Sequence, residues 1–251
     1  MRFETDPGMT VTGGNLLPPV RSDWALLLDL DGTLIDFAAT PEAARAPATL
    51  PSALLQAAAA LGGALAIVSG REIAAIDRLL APARLAAAGC HGGELRPCPD
   101  CVVSRHAPPL DPALVAEAVA LAEAEGLHLE VKATGLALHV RACPDRESAA
   151  HALALHLAAR AGPGYEVLPG ALVREIRPRG FDKGRAVRAL MEAPPFAGRR
   201  PLFLGDDVTD RDGIAAARAL GGEGILLGHD TPAGPAEVRA WLAALPRALG
   251  R

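Results

Sequence analysis

No apolar run in this chain approaches the ~20 residues that a membrane span requires. The N-terminal residues 1–22, MRFETDPGMTVTGGNLLPPVRS, hold no hydrophobic signal-peptide core. They read as a flexible lead-in, and the protein as cytoplasmic with no membrane partner. An excess of charge is lacking as well: 25 Lys and Arg stand against 29 Asp and Glu, for a net charge of -4. That balance gives no basic footprint for nucleic acid. It still allows a phosphate ester, provided local cations hold it.

Cysteine is scarce, with four in the chain. Cys98 and Cys101, in 98-CPDC-101, have metal-ligand or redox spacing, with Cys90 and His91 nearby. A zinc site takes about four ligands and there is no second pair, so the stretch reads as a Pro-rich loop with incidental thiols. No G-x-x-x-x-G-K-[ST] phosphate loop occurs, which removes the P-loop NTPases. What the chain does have is apolar side chains, 50% of residues against 22% charged. Over 251 residues these suffice for one large α/β domain or for a core with a smaller second domain.

Short apolar runs at 26–30, broken only by Asp29, and at 64–68 and 202–204 suit strands buried on both faces of a parallel sheet. Ala/Leu-rich helical stretches at 51–61, 71–80, 184–191 and 213–220 alternate with them. That alternation predicts a doubly wound, Rossmann-like α/β core. The middle of the chain differs. A helical stretch at 113–125 is followed by strand-like 127-LHLEVK-132 and 136-LALHVR-141, then by a helix at 146–160 and by 165-YEVLP-169 and 171-ALVREIR-177. This αββαββ order makes hairpins instead of crossovers. The expected organisation is a core over 23–106 and 178–251, with an α+β cap domain inserted at 107–177.

Within 25-ALLLDLDGTLIDF-37, a buried strand runs into two carboxylates one residue apart. Such crowding costs stability unless something offsets it. In extended chain, residues i and i+2 project to one side with Cα atoms roughly 6.5–7 Å apart. That spacing suits an in-line displacement in which Asp29 attacks phosphorus while Asp31 protonates the leaving oxygen. Gly32 lets the backbone turn away beside a phosphate, and Thr33 is placed to cap the turn or to hydrogen-bond Asp31. Two unit charges at ~4 Å and an effective dielectric of ~20 repel by about 4 kcal/mol, roughly a thousandfold in rate. A cation has to cancel this. Mg²⁺ fits, since it takes carboxylate and phosphate oxygens and keeps waters. Three further polar signals fall at strand ends or just beyond: Ser69 in 65-LAIVSGR-71, Lys183 in 181-FDKGRAV-187, and Asp206 and Asp207 in 202-LFLGDDVTDRDG-213. Asp206 is the expected metal carboxylate, with Asp207 a ligand or an orienter of metal-bound water. Lys183 and Ser69 are expected on the phosphoryl oxygens. Asp31, crowded by Asp29, is expected to hold its proton to higher pH and so to act as general acid, then as base toward water.

DLDGT, a strand-terminal Ser, a downstream Lys and GDDVTD, in that order, resemble the haloacid-dehalogenase-like phosphohydrolases over about residues 23–245. By that resemblance Asp29 is the nucleophile, Asp31 the acid/base whose backbone carbonyl also meets Mg²⁺, Ser69 and Lys183 the phosphate-holding pair, and Asp206 the metal carboxylate. Asp207 and Asp210 match acidic positions near the metal. Within that class, 66-AIVSGR-71, 91-HGGELR-96, 130-EVK-132, 138-LHVR-141, 174-REIRP-178 and 205-GDDVTDRD-212 look like trehalose-6-phosphate phosphatases. The likeness implies a small-molecule sugar phosphate as substrate and a trehalose-6-phosphate synthase as functional partner. It places Glu130, Lys132 and Glu175 on sugar hydroxyls, Arg71 with the substrate, and Arg141 in cap-side binding or closure. The pattern departs at Val140, where an aromatic is usual, at Arg211, where an acid is usual, and at Ile214, where a Phe is common. Two alternatives stay open: another sugar phosphate, such as sucrose phosphate or a mannosyl-phosphoglycerate, and a phosphoacceptor receiver module. The DxD spacing and residues 107–177 weigh against the receiver.

Overall fold

The computed structural model of the protein describes residues 16–250 apart from 39 and 171. Its first strand, β1 (Trp24–Leu28), is buried along its whole length. α1 (Leu50–Ala60) leads to β2 (Leu65–Val68), and α2 (Ile73–Leu80) to β3 (Ala86–Gly89). Two short strands, β4 (Glu94–Arg96) and β5 (Ser104–Arg105), run antiparallel at that edge. The insertion then contributes α3 (Pro112–Ala124), β6 (His128–Val131), β7 (Leu136–His139), α4 (Glu147–Ala161), β8 (Tyr165–Gly170) and β9 (Val173–Pro178). The chain re-enters the core through α5 (Lys183–Met191), β10 (Arg200–Gly205), α6 (Asp210–Ala219), β11 (Glu223–Leu226) and α7 (Pro235–Ala248).

Among the described residues the core sheet has the order β11-β10-β1-β2-β3-β4-β5, with β11 through β3 parallel. Side chains of β1 alternate between its two faces. Leu26 and Leu28 pack with Leu54 of α1 and Leu242 of α7, while Leu27 packs with Val187 and Leu190 of α5 and with Phe203. Both faces are covered by helices, the condition under which a parallel sheet reads as unbroken apolar runs. From β1 the chain winds outward to β2 and β3, and returns on the other side at β10. A crevice therefore opens at the C-terminal ends of β1 and β10, where doubly wound folds bind ligands.

The insertion forms its own antiparallel sheet, β6-β7-β9-β8. Leu136, Leu138 and Ile176 lie in a separate apolar cluster with Leu114 and Ala118 of α3 and Ala154 and Leu157 of α4. Between Leu136 and Leu138 sits Ala137, in register with Glu130 on one side and Glu175 on the other. Glu130, Ala137 and Glu175 thus form one row across three strands, and all three line the cavity facing the core.

Three expectations need correction, and one strand carries no signal in the sequence. Residues 16–22 of the lead-in are tied down: Leu17 is buried in the core, and the Leu16 and Pro18 carbonyls accept hydrogen bonds from Thr231 and Trp241. Residues 1–15 lie outside the described residues. The Ala-rich 86–89 stretch is a strand despite weak β propensity, because its neighbours β2 and β4 supply ladder partners on both sides. Cys98 and Cys101, in the Pro-rich loop that precedes β5, form a disulfide instead of remaining incidental thiols. The helix expected from 71 begins at Ile73, so Arg71 falls in the turn before it. Among the described residues no helix is long and apolar enough to cross a membrane.

Candidate active site

Asp29 is the first residue beyond β1, and the core's packing leaves it buried at 4% exposure. Lys183 opens α5 and reaches in from the side, its Nζ donating to Asp29 Oδ1 and to Asp210 Oδ1, both at 2.6 Å. Asp210 opens α6 and is fully buried; its Oδ2 accepts from the Asp206 and Asp207 amides at 3.1 and 3.0 Å, fixing the loop after β10. Thr33 donates within reach of both Asp29 Oδ2 (3.2 Å) and Asp206 Oδ1 (3.1 Å), and not to Asp31, one of the two roles the sequence allows it. Gly32 has a φ of +82°, and a Cβ there would stand 2.2 Å from Asp206 Oδ2. Only glycine brings the β1 turn so close to that carboxylate.

One ammonium serves three carboxylates here. Burial, followed by the charge of Asp210, pushes the Asp29 carboxyl well above its ordinary range against the pull of Lys183. Burial, again followed by Asp210, pushes Asp206 up to about 6, with the Thr33 hydroxyl drawing it back. Burial works against the Lys183 ammonium, but Asp29 and Asp210 outweigh it and raise its pKa. Asp29, Asp206 and Asp210 each offer a carboxylate oxygen, and these atoms lie within 4.8 Å of one another. Hard oxygen donors short of positive charge fit a divalent cation such as Mg²⁺. The crowding expected between Asp29 and Asp31 lies instead among Asp29, Asp206 and Asp210.

Asp31 has another partner. Arg71 grips it with two parallel bonds, Nε to Oδ2 and Nη2 to Oδ1, each 2.7 Å. Ser69 is buried, and its Oγ accepts from the Arg71 amide at 3.1 Å, shaping the turn after β2. Asp207 lines the same cavity but stands outside the three-carboxylate group, its Oδ1 accepting from the Val208 amide at 2.7 Å.

The cavity between the two sheets measures about 350 Å³, and every candidate residue drawn from the sequence lines it except Thr33 and Asp210, which are fully buried. From the cap, Lys132 Nζ donates to Glu175 Oε1 at 2.5 Å and to the Gly70 carbonyl at 3.1 Å. Glu175 Oε2 meets His91 Nε2 of the core at 2.8 Å. Burial would raise the Glu175 pKa, but Lys132 and His91 outweigh it and lower it, so Glu175 is an acceptor only. Glu130 pairs with His139 at 3.0 Å. Arg141 sits at the far junction, donating to the Ala38 carbonyl at 2.7 Å with its guanidinium 5.0 Å from the Phe37 ring centre. Two participants were not singled out from the sequence. Asp210 had been noted only as an acidic neighbour, although its place four residues beyond Asp206 opens a helix against it. His91 carried one signal, the glycines that follow it in 91-HGG-93.

A doubly wound core with an aspartate-based, cation-ready site and an α+β cap defines a haloacid-dehalogenase-like phosphatase. The solved C-terminal domain of the Candida albicans trehalose-6-phosphate phosphatase superposes with a TM-score of 0.74 over 89% of this chain and 92% of that one, at 20% identity. A trehalose-6-phosphate phosphatase related protein gives 0.70, with 89% and 97% covered, at 22% identity. The chain belongs to the trehalose-phosphatase family, whose model matches residues 27–231. It is 42% identical over 229 residues to a probable trehalose-phosphate phosphatase of Sinorhizobium fredii (89% of this chain, 86% of that protein). It is 35% identical over 243 residues to the trehalose-6-phosphate phosphatase of Escherichia coli K12 (92% and 90%).

Proposed function

We propose that the enzyme hydrolyses trehalose 6-phosphate to trehalose and inorganic phosphate through an aspartyl-phosphate, with Mg²⁺ as cofactor. The observation that carries this reading is one cavity with a nucleophile-and-ammonium floor from the core and a row of sugar-sized polar groups from the cap. The full-length similarity to enzymes named for that substrate supports it.

In the first half-reaction a carboxylate oxygen of Asp29 bonds to phosphorus as the bond to the sugar oxygen breaks, and Asp31 gives that oxygen a proton. In the second, water bonds to phosphorus, Asp31 takes back a proton, and the bond to Asp29 breaks. Lys183 and Ser69 hold the phosphoryl oxygens. Arg71 exchanges Asp31 for the incoming phosphoryl group, which frees both Asp31 oxygens for proton transfer. Glu130, Lys132 and Glu175 take the sugar hydroxyls, and Arg141 holds the cap shut against the 36–38 segment. Mg²⁺, when bound, supplies the positive charge that lets a carboxylate approach a phosphate. Asp29, Asp206 and Asp210 would hold it, with the Asp31 carbonyl and Asp207 as the ligands added by family resemblance.

A cytoplasmic setting, and a trehalose-6-phosphate synthase as supplier of the substrate, belong to the same reading. The Cys98–Cys101 bridge pulls against that setting, because reducing compartments keep thiols apart. The test is phosphate release from a panel of sugar phosphates, with Mg²⁺ and with chelator. Trehalose 6-phosphate should be turned over best, and chelator should abolish the activity. Better turnover of sucrose phosphate or a mannosyl-phosphoglycerate would displace the substrate, and a rate indifferent to chelator would displace the cofactor.

A further inference from the structure

His91 belongs to the core, yet its side chain ends on the cap. It is buried at 4% exposure, and both it and Cys90 hold left-handed backbone, with φ of 52° and 49°, followed by Gly92 at 95°. Consecutive non-glycine residues in that region are strained, and such strain persists only where surrounding contacts impose it. Here the imposing contacts are to the phosphate-side turn. The Cys90 amide donates to the Arg71 carbonyl at 2.9 Å, and the His91 amide to the Ser69 carbonyl at 3.1 Å. The imidazole lies against Gly70, where a Cβ would stand 2.7 Å from Nε2. From that seat Nε2 reaches Glu175 Oε2 of β9 at 2.8 Å, while Lys132 ties the other Glu175 oxygen back to Gly70.

We propose that His91 is a positioning residue for the hydrolysis: it fixes the Glu175 carboxylate, and with it the sugar-binding row of the cap, to the turn that holds the phosphoryl group. Glu175 is a carboxylate and can only accept, so the proton of a neutral imidazole sits on Nε2. Burial favours that neutral form. Nδ1 is then a bare acceptor, and among the described residues it has no partner. Sugar recognition and phosphate recognition are thereby joined at Glu175, with His91 on one oxygen and Lys132 on the other.

This inference rests on the sugar-phosphate reading above, and the experiment separates the two. kcat/KM is measured on trehalose 6-phosphate and on a small aryl phosphate that does not extend to Glu175. If the unaltered enzyme ignores trehalose 6-phosphate, the substrate assignment fails at that first measurement, and the coupling is scored on whichever sugar phosphate is turned over best. H91N tolerates the left-handed backbone but falls short of Glu175. It should lose about 10- to 100-fold on the sugar phosphate, the worth of a hydrogen bond to a charged group, and far less on the aryl phosphate. H91Q, which restores a donor at similar reach, should recover most of the loss. H91N combined with E175A should lose no more than E175A alone. Equal losses on the two substrates, or additive losses in the double variant, would overturn the proposal. Should H91N not fold, E175Q decides by itself: in enzyme with ¹⁵N-labelled histidine it should shift the His91 ring nitrogens, and an unmoved resonance would overturn the assignment.

Discussion

At the floor of the cavity, Asp29, Asp206 and Asp210 crowd around the single ammonium of Lys183, and without a metal that crowding is a cost to the fold. Asp29→Asn removes one charge from the cluster while Lys183 keeps Asp210 as its partner. Turnover should fall by at least about a thousandfold, because the amide is no nucleophile toward phosphorus. In chelator, however, the variant should unfold at the same temperature as the parent or higher, since burial and Asp210 already disfavour the ionised form of Asp29. A lowered unfolding temperature would show that the Asp29–Lys183 pair stabilises more than the crowding costs. Residue by residue, the core half of the site was legible in the sequence because short runs of fixed spacing hang on strand ends. Partners across space were not. Spacing alone put the charge repulsion on Asp31 and left Thr33 either capping the turn or bonded to Asp31, whereas the structure has Arg71 gripping Asp31 and Asp206 brought against Asp29 from another strand.

The cap sheet works as an element. Its faces alternate, so that Leu136 and Leu138 seal onto α3 and α4 while Ala137 faces the cavity between Glu130 and Glu175. A methyl group there leaves width for a sugar ring between two acceptors. Ala137→Leu should fill that width, raising KM for trehalose 6-phosphate by about tenfold or more while the small aryl phosphate is turned over at nearly the parental rate; equal effects on both would remove the row from sugar binding. Glu130→Ala, which takes away an acceptor but not the width, should likewise harm the disaccharide phosphate far more than the aryl phosphate. The hairpins of this sheet were readable from alternation and turn residues. β3 was not, because Ala86–Ala88 carry no strand preference of their own and become a strand only between two neighbours.

Over the whole molecule, proton uptake and metal binding compete for the same carboxylates, which gives stability a definite dependence on pH. The Asp206 pKa is raised to about 6, and burial with the Asp210 charge holds that of Asp29 well above its ordinary range. Each therefore binds a proton more readily folded than unfolded, and stabilises the metal-free fold as pH falls through its folded value. His91, lowered by burial, works in the opposite direction below its ordinary range, one group against two. Glu175, lowered by Lys132 and His91, contributes stability above the ordinary carboxylate range and loses it below. In chelator the unfolding temperature should rise as pH drops from 8 toward 5 and then fall in stronger acid; with saturating Mg²⁺ the first rise should vanish. A profile that is flat or already falling between pH 8 and 5 in chelator would contradict the carboxylate cluster as described.

The groups proposed to break the ester hang from one sheet and those proposed to choose the sugar hang from another, each sheet with its own apolar packing. Descendants of such a chain can retune their diet by drift in the four-stranded layer, leaving the chemistry of the floor inherited intact.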